Sequence, residues 1–308
     1  MRAHASGACE ARRVSRDRRV TTGMVFGFAA GVALSTGGVA LRFVEEASGW
    51  QVLFYRALAF SLLMTVVMGL RYRGGVVAAT RAVGASGVAV AVLLSGGAIA
   101  YVFAILHTSV ANVVVLLSAS PLVTALLARI VLGERADLPT WAAMLVVVFG
   151  ITVMFADGLQ GGGLVGLLIA MCAVLTFASM LTVLRRTRGR DMLPATALSG
   201  PITAAIALCM APSLAVSAHD LAIGAFLGTV QFGLGFILIT LATRRIPAAQ
   251  VALLTLSEVV LAPLWVWLAV AERPTMLGFV GGAIVLFAVL GQALWALWGR
   301  SSGPGIAS

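Results

Sequence analysis

IPAAQVALLTLSEVVLAPLWVWLAVAERPT, residues 246–275, is an apolar helix with a carboxylate, Glu258, near its middle. Pro263 follows a little over one turn later, and a Glu-Arg-Pro turn begins at Glu272. A carboxylate in such a run is expensive to place in hydrocarbon, so it demands an explanation. A diverged copy lies earlier, SVANVVVLLSASPLVTALLARIVLGERADLPT, residues 109–140. Leu116-Leu117-Ser118 aligns with Leu253-Leu254-Thr255, Ser120 with Ser257, and Glu134-Arg135 with Glu272-Arg273. The offset is 137 residues at the helix start and 138 at the turn. Parallel patterns at a nearly fixed offset are an internal repeat.

Composition sets the class. The chain has 308 residues, 61% hydrophobic and only 10% charged, with a mean hydropathy of +1.06. Soluble domains carry about a quarter charged residues. Repeated apolar runs of about 20 residues make this an integral membrane protein, all-α in fold class.

The formal charge is +10, and every basic residue is arginine. These arginines sit in short loops between apolar spans, where topology rules put them, so nucleic acid is not an expected partner. Cys9, Cys172 and Cys209 lack disulfide or metal spacing, and His4, His107 and His219 do not cluster. No metal and no cofactor are expected.

Ten spans are expected at about 23–41, 50–70, 84–105, 108–131, 139–156, 163–184, 193–215, 221–243, 247–271 and 275–298. Residues 1–22 carry six arginines and are expected to be a disordered cytoplasmic tail. Met24 opens the first span, so whether the tail belongs to the native protein is left open. Residues 299–308 are expected to be a short cytoplasmic C-terminal tail. With the N-terminal tail inside, Arg71, Arg73, Arg81, Arg129, Arg135, Arg185, Arg186, Arg188, Arg190, Arg244, Arg245 and Arg300 all fall inside. Only Arg42 and Arg273 fall outside, and Arg56 lies within a span. So lopsided a split predicts both termini inside. Five spans per repeat is an odd number, so residues 23–156 and 163–298 enter the membrane from opposite sides, an inverted repeat.

At these residues the chain resembles the EamA-type branch of the drug/metabolite transporter superfamily. The resemblance rests on SASPLVTALLARIVLGER (118–135), LSEVVLAPLWVWLAVAERP (256–274) and the arginine of GWQVLFYRALAF (49–60). It implies a multi-pass protein of the bacterial cytoplasmic (inner) membrane. The implied activity is efflux of small organic metabolites, amino-acid-like compounds or drugs by alternating access. The implied partners are the small-molecule substrate, the lipid bilayer and protons, and the implied state is a monomer or homodimer. Two departures stand out: Glu258 and Pro263 are separated where the family often has Glu-Pro adjacent, and Pro121 has no acid beside it.

Within this frame Glu258 is the leading candidate, as proton carrier, substrate-cation ligand or structural hydrogen-bonding group. Arg56 is a candidate clamp for a substrate carboxylate, a snorkelling side chain, or the counter-ion of Glu258, which would then stay ionised. Gln231 and Asn112 are intramembrane amides that line a cavity or bond between helices. Ser120 and Ser257 occupy matched positions and line the cavity or bond back to their own helices. Pro121 and Pro263 are candidate helix breaks for gating. Trp265 and Trp267 lie deeper than the other tryptophans and are compatible with facing a substrate. Glu45, Glu46, Asp157, Asp220 and Glu272 are expected as solvated loop charges. No Walker motif, protease constellation or His-Glu-x-x-His is present, so the chain is expected not to be an enzyme. The alternatives are an intramembrane enzyme or a non-transport scaffold.

Overall fold

A computed structural model describes residues 2–133, 138–161, 163–187, 190–243, 245, 254–255, 257–270 and 276–301. Among them there is no strand. The helices are α1 (Arg2–Arg42), α2 (Gly49–Tyr72), α3 (Val76–Ala82), α4 (Gly84–His107), α5 (Val110–Ser118), α6 (Ser120–Leu132) and α7 (Leu138–Gly161). The second half holds α8 (Leu164–Arg186), α9 (Leu193–Met210), α10 (Ala218–Phe226), a π-helical segment (Leu227–Leu234), α11 (Gly235–Thr243), α12 (Ser257–Val270) and α13 (Met276–Ser301). Among the described residues, seven stretches are long and apolar enough to cross a membrane. Trp141–Val153 and Met276–Ala288 are shorter apolar helices.

The outer surface is apolar. Leu62, Leu70, Leu145, Phe149, Met276 and Phe287 are each more than half exposed. A face this apolar fits lipid and not water. The interior is built around small residues, which let helices approach closely. An added Cβ at Gly31 of α1 would lie 2.1 Å from Ser257 Oγ, and one at Gly282 of α13 would lie 3.2 Å from a Val115 methyl of α5.

Packing exchanges the halves. α4 against α8 is matched by α11 against α1, and α6 against α8 by α12 against α1. α4 against α9 is matched by α10 against α2, while α2–α9 and α7–α13 pair like with like. Each half therefore meets the other through equivalent helices.

Several elements differ from expectation. The tail expected to be disordered is helical from Arg2, continuous with α1. No proline interrupts it, and alanine and arginine are good helix formers. α9 stops at Met210, short of 215, because Pro212 drives Ala211 into an extended conformation (ψ 131°). The span expected at 221–243 is divided by the π-helical segment.

The span expected at 108–131 breaks between Ser118 and Ser120. Pro121 has no N–H to offer the Leu117 carbonyl one turn back. The Ser120 hydroxyl donates to that carbonyl instead. Ser257 repeats the bond, its hydroxyl donating to Leu254 O at 2.8 Å. The two bonds are 137 residues apart, the offset of the repeat. Ser120→Ala is expected to cost about 1–2 kcal/mol by leaving a buried acceptor short of a donor. Thermal unfolding of the purified variant checks it.

Polar bonds clamp α2 to the α9 segment at both ends. At one end Gln51 Nε2 donates to Ala215 O (2.8 Å) and Ser213 Oγ (3.2 Å). At the other, Arg71 and Tyr72 both donate to Asp191. Burial alone would raise the Asp191 pKa, but bonds from Tyr72, the Leu193 N–H and Arg71 outweigh it and hold the carboxyl below the usual carboxylate range. A depressed folded pKa gives stability that is present above the ordinary carboxylate pKa and lost as pH falls through the depressed value. A pH–stability profile is therefore expected to show the difference between wild type and Asp191→Asn at neutral pH, vanishing in acid.

Candidate functional site

Arg56 sits on the third turn of α2 and is only 4% exposed. It reaches this depth because glycines bring the neighbouring helix onto α2. Cβ atoms added at Gly224 and Gly228 would lie 2.9 Å from Tyr55 Cβ and 2.2 Å from Arg56 O. The pair Gly224/Gly228 is thus a tight intramolecular contact. Gly228 lies within the π-helical segment, and the same segment carries Gln231 and Phe232. Single π turns inside α-helices are frequent at functional sites.

Arg56 Nη2 donates to Gln231 Oε1 at 3.2 Å. The guanidinium carbon lies 4.7 Å from the Phe232 ring centre and 5.8 Å from that of Tyr101 on α4. Arg56 Nε and Nη1 and the Tyr101 hydroxyl are buried without a hydrogen-bond partner among the described residues. Gly37 of α1 closes the cluster: a Cβ there would come within 2.9 Å of both Gln231 Nε2 and the Tyr101 hydroxyl. Beside the guanidinium runs a cleft lined by Leu53, Phe60, Ala98, Ser199, Thr203 and Phe232. The cleft is narrow, with room for about one water.

The energetics leave the cation under-compensated. Desolvating an ion costs several kcal/mol even after relaxation. One hydrogen bond to a charged group returns about 1.5–3 kcal/mol, and a desolvated cation–π contact about 2 kcal/mol. Among the described residues no carboxylate pairs with Arg56. The Arg56–Glu258 ion pair, one of the alternatives raised for Arg56, is not among the contacts of the described residues, and Arg56 is buried and does not snorkel. Glu258 is half-buried in the first turn of α12.

The remaining candidates scatter. Asn112 is not beside the cleft. It lies in the first turn of α5, where its N–H bonds to the capping Ser109 hydroxyl and its Nδ2 to Thr108 Oγ1 at 3.3 Å. Ser120 and Ser257 satisfy their own helices, as described above. Pro121 follows the α5–α6 break, whereas α12 runs through Pro263 unbroken. Trp265 Nε1 donates to Ser35 Oγ at 3.0 Å, tying α12 to α1, and Trp267 is half exposed on the outer face.

Three features escaped the sequence reading. Tyr101 carries no motif, being a lone tyrosine in an apolar run. Pro201, inside α9 next to Gly200 of the cleft, frees the Ala197 carbonyl of its helical donor. Asp220, expected as a solvated loop charge, is 2% exposed. It accepts from the backbone N–H groups of Glu45 (3.0 Å), Glu46 (3.1 Å) and Ala47 (2.9 Å). Its position just after the helix-capping Ser217 is the one signal that marks it in sequence.

Comparison with known proteins places the chain in a family and finds solved structures of similar fold. The profile of the EamA-like transporter family matches residues 21–156 and again 164–293. A solved structure described only as a crystal structure of a protein superposes with a TM-score of 0.66 at 18% identity. The match covers 92% of this chain and all of that one, and it shows a shared fold. No curated protein matches the chain significantly.

Proposed function

Since the chain belongs to the EamA-like transporter family, we propose that it is a secondary transporter exporting small organic metabolites across the cytoplasmic membrane. The observation that carries the reading is the buried Arg56 cluster, assembled from α1, α2 and α4 of one half and the π-helical segment of the other. A polar site where two repeats meet is where carriers of this architecture bind their solute. Ten spans as two inverted five-helix repeats with both termini inside complete the proposal. The exchange of packing partners between halves and the arginine distribution support it. Rocking of the halves would open the narrow cleft alternately to each side.

A cysteine at Thr203, 4% exposed on the cleft wall, tests alternating access without knowledge of the substrate. In a chain with Cys9, Cys172 and Cys209 replaced by serine, Thr203→Cys is expected to react with a membrane-impermeant thiol reagent in intact cells. It is also expected to react in inside-out vesicles. Reaction from one side only, or from neither, contradicts a carrier.

Glu258 is proposed as the proton carrier, as its place in an apolar span and the absence of a cation partner among the described residues suggest. Glu258→Gln is expected to abolish proton-driven accumulation in vesicles at least tenfold while substrate exchange persists. Loss of both, or of neither, removes Glu258 from the coupling step.

A further inference from the structure

The Arg56 cluster is made of donors. Gln231 spends its oxygen on Arg56, which turns its Nε2 toward Gly37 and the Tyr101 hydroxyl. Arg56 contributes two unpartnered nitrogens and Tyr101 an unpartnered hydroxyl, all buried. Unpartnered donors from α2 and α4 thus gather with Gln231 Nε2 beside a cleft that Arg56 itself lines together with the Ser199 and Thr203 hydroxyls.

We propose that the transported molecule carries a carboxylate, seated on the Arg56 guanidinium with the Tyr101 hydroxyl and Gln231 Nε2 completing its hydrogen bonds. This rests on the transporter reading above and names the chemistry of its substrate. Buried donors without partners favour an acceptor, and a fixed cation in an apolar bundle selects an anion. The single guanidinium matches one negative charge, so a carboxylate is neutralised where a dianionic phosphate would bring an excess charge into low dielectric. The remainder of the molecule is apolar or weakly polar, since Leu53, Phe60 and Phe232 form the adjoining wall with only the Ser199 and Thr203 hydroxyls among them. The Phe232 ring, 4.7 Å from the guanidinium carbon, stabilises the buried cation from the side of the π-helical segment.

The test uses benzoate and its neutral isostere benzamide on the purified full-length protein in lipid nanodiscs, read by calorimetric titration. Wild type is expected to bind benzoate, and benzamide about tenfold or more weakly, which corresponds to about 1.4 kcal/mol. Arg56→Gln is expected to lose benzoate binding. Tyr101→Phe, which removes one hydroxyl and keeps the ring over the guanidinium, is expected to weaken it severalfold without affecting folding. Failure of wild type to bind benzoate at tens of millimolar overturns the proposal, as does equal binding of benzamide. Unchanged benzoate affinity in Arg56→Gln, or in Tyr101→Phe should the first variant not fold, overturns it as well. The outcome is separable from the transport reading. Two-sided labelling at position 203 with no carboxylate preference leaves a carrier of other solutes. Carboxylate binding with one-sided labelling leaves a binding site without transport.

Discussion

Gly228→Ala is expected to lower the unfolding temperature sharply and to disorder the Arg56 site with it. The added methyl would lie 2.2 Å from Arg56 O, 2.8 Å from Ala59 Cβ and 2.9 Å from Phe60 N. Two of these atoms are backbone, so no rotamer change relieves the clash, and α2 as a whole must retreat by more than an ångström. Overpacking of this kind costs about 3 kcal/mol. The retreat also carries Arg56 away from Gln231 and Phe232, so binding is lost along with stability. Gly97→Ala is the control. Its Cβ would meet Thr176 Oγ1 at 3.1 Å and nothing else closer than 3.9 Å, so a small adjustment of one side chain accommodates it. Thermal unfolding of both variants in detergent checks the contrast. Equal stability of Gly228→Ala and wild type would mean that α2 and the π-helical segment are not in contact as described.

Asp220→Ala is the second large expected effect. The carboxylate gathers three backbone N–H groups of the α1–α2 connection onto the start of α10, joining the first half of the chain to the second. Hydrogen bonds to a charged group are worth more than neutral ones, about 1.5–3 kcal/mol each. The side chains of Glu45 and Glu46 are exposed, so water can reach part of the loop in the variant. The net loss is then about 3 kcal/mol. Asp220→Asn keeps one acceptor oxygen and is expected to fall between. Limited proteolysis at residues 43–48 together with the unfolding temperature measures both. Wild-type protease resistance in Asp220→Ala would show that the loop is held by other means.

What could be read from the sequence was what local chemistry dictates. The membrane class followed from composition, and the repeat from the matched LLS/LLT and Glu-Arg patterns. The break near Pro121 followed from a missing N–H. Features set by distant chain segments were not legible. The π-helical segment arises where Gly228 and Gly233 meet α2, and nothing in LGTVQFGL itself announces a change of helical period. Arg56 and Gln231 were both visible as intramembrane polar groups, but their contact spans 175 residues of sequence. Glu258 was the obvious partner for Arg56 on charge alone. The chain instead uses an amide and two aromatic faces, which sequence patterns do not encode. Asn112 and Asp220 exchanged roles for the same reason: the amide serves a local cap, and the loop acid a long-range one.

The most direct test of the account compares metabolites outside cells that overproduce wild type or Arg56→Gln, with membrane insertion of both verified. Wild type is expected to raise a defined set of carboxylate-bearing compounds outside the cell, and Arg56→Gln is expected not to. No change in any exported compound, or the same change with Arg56→Gln, would contradict it.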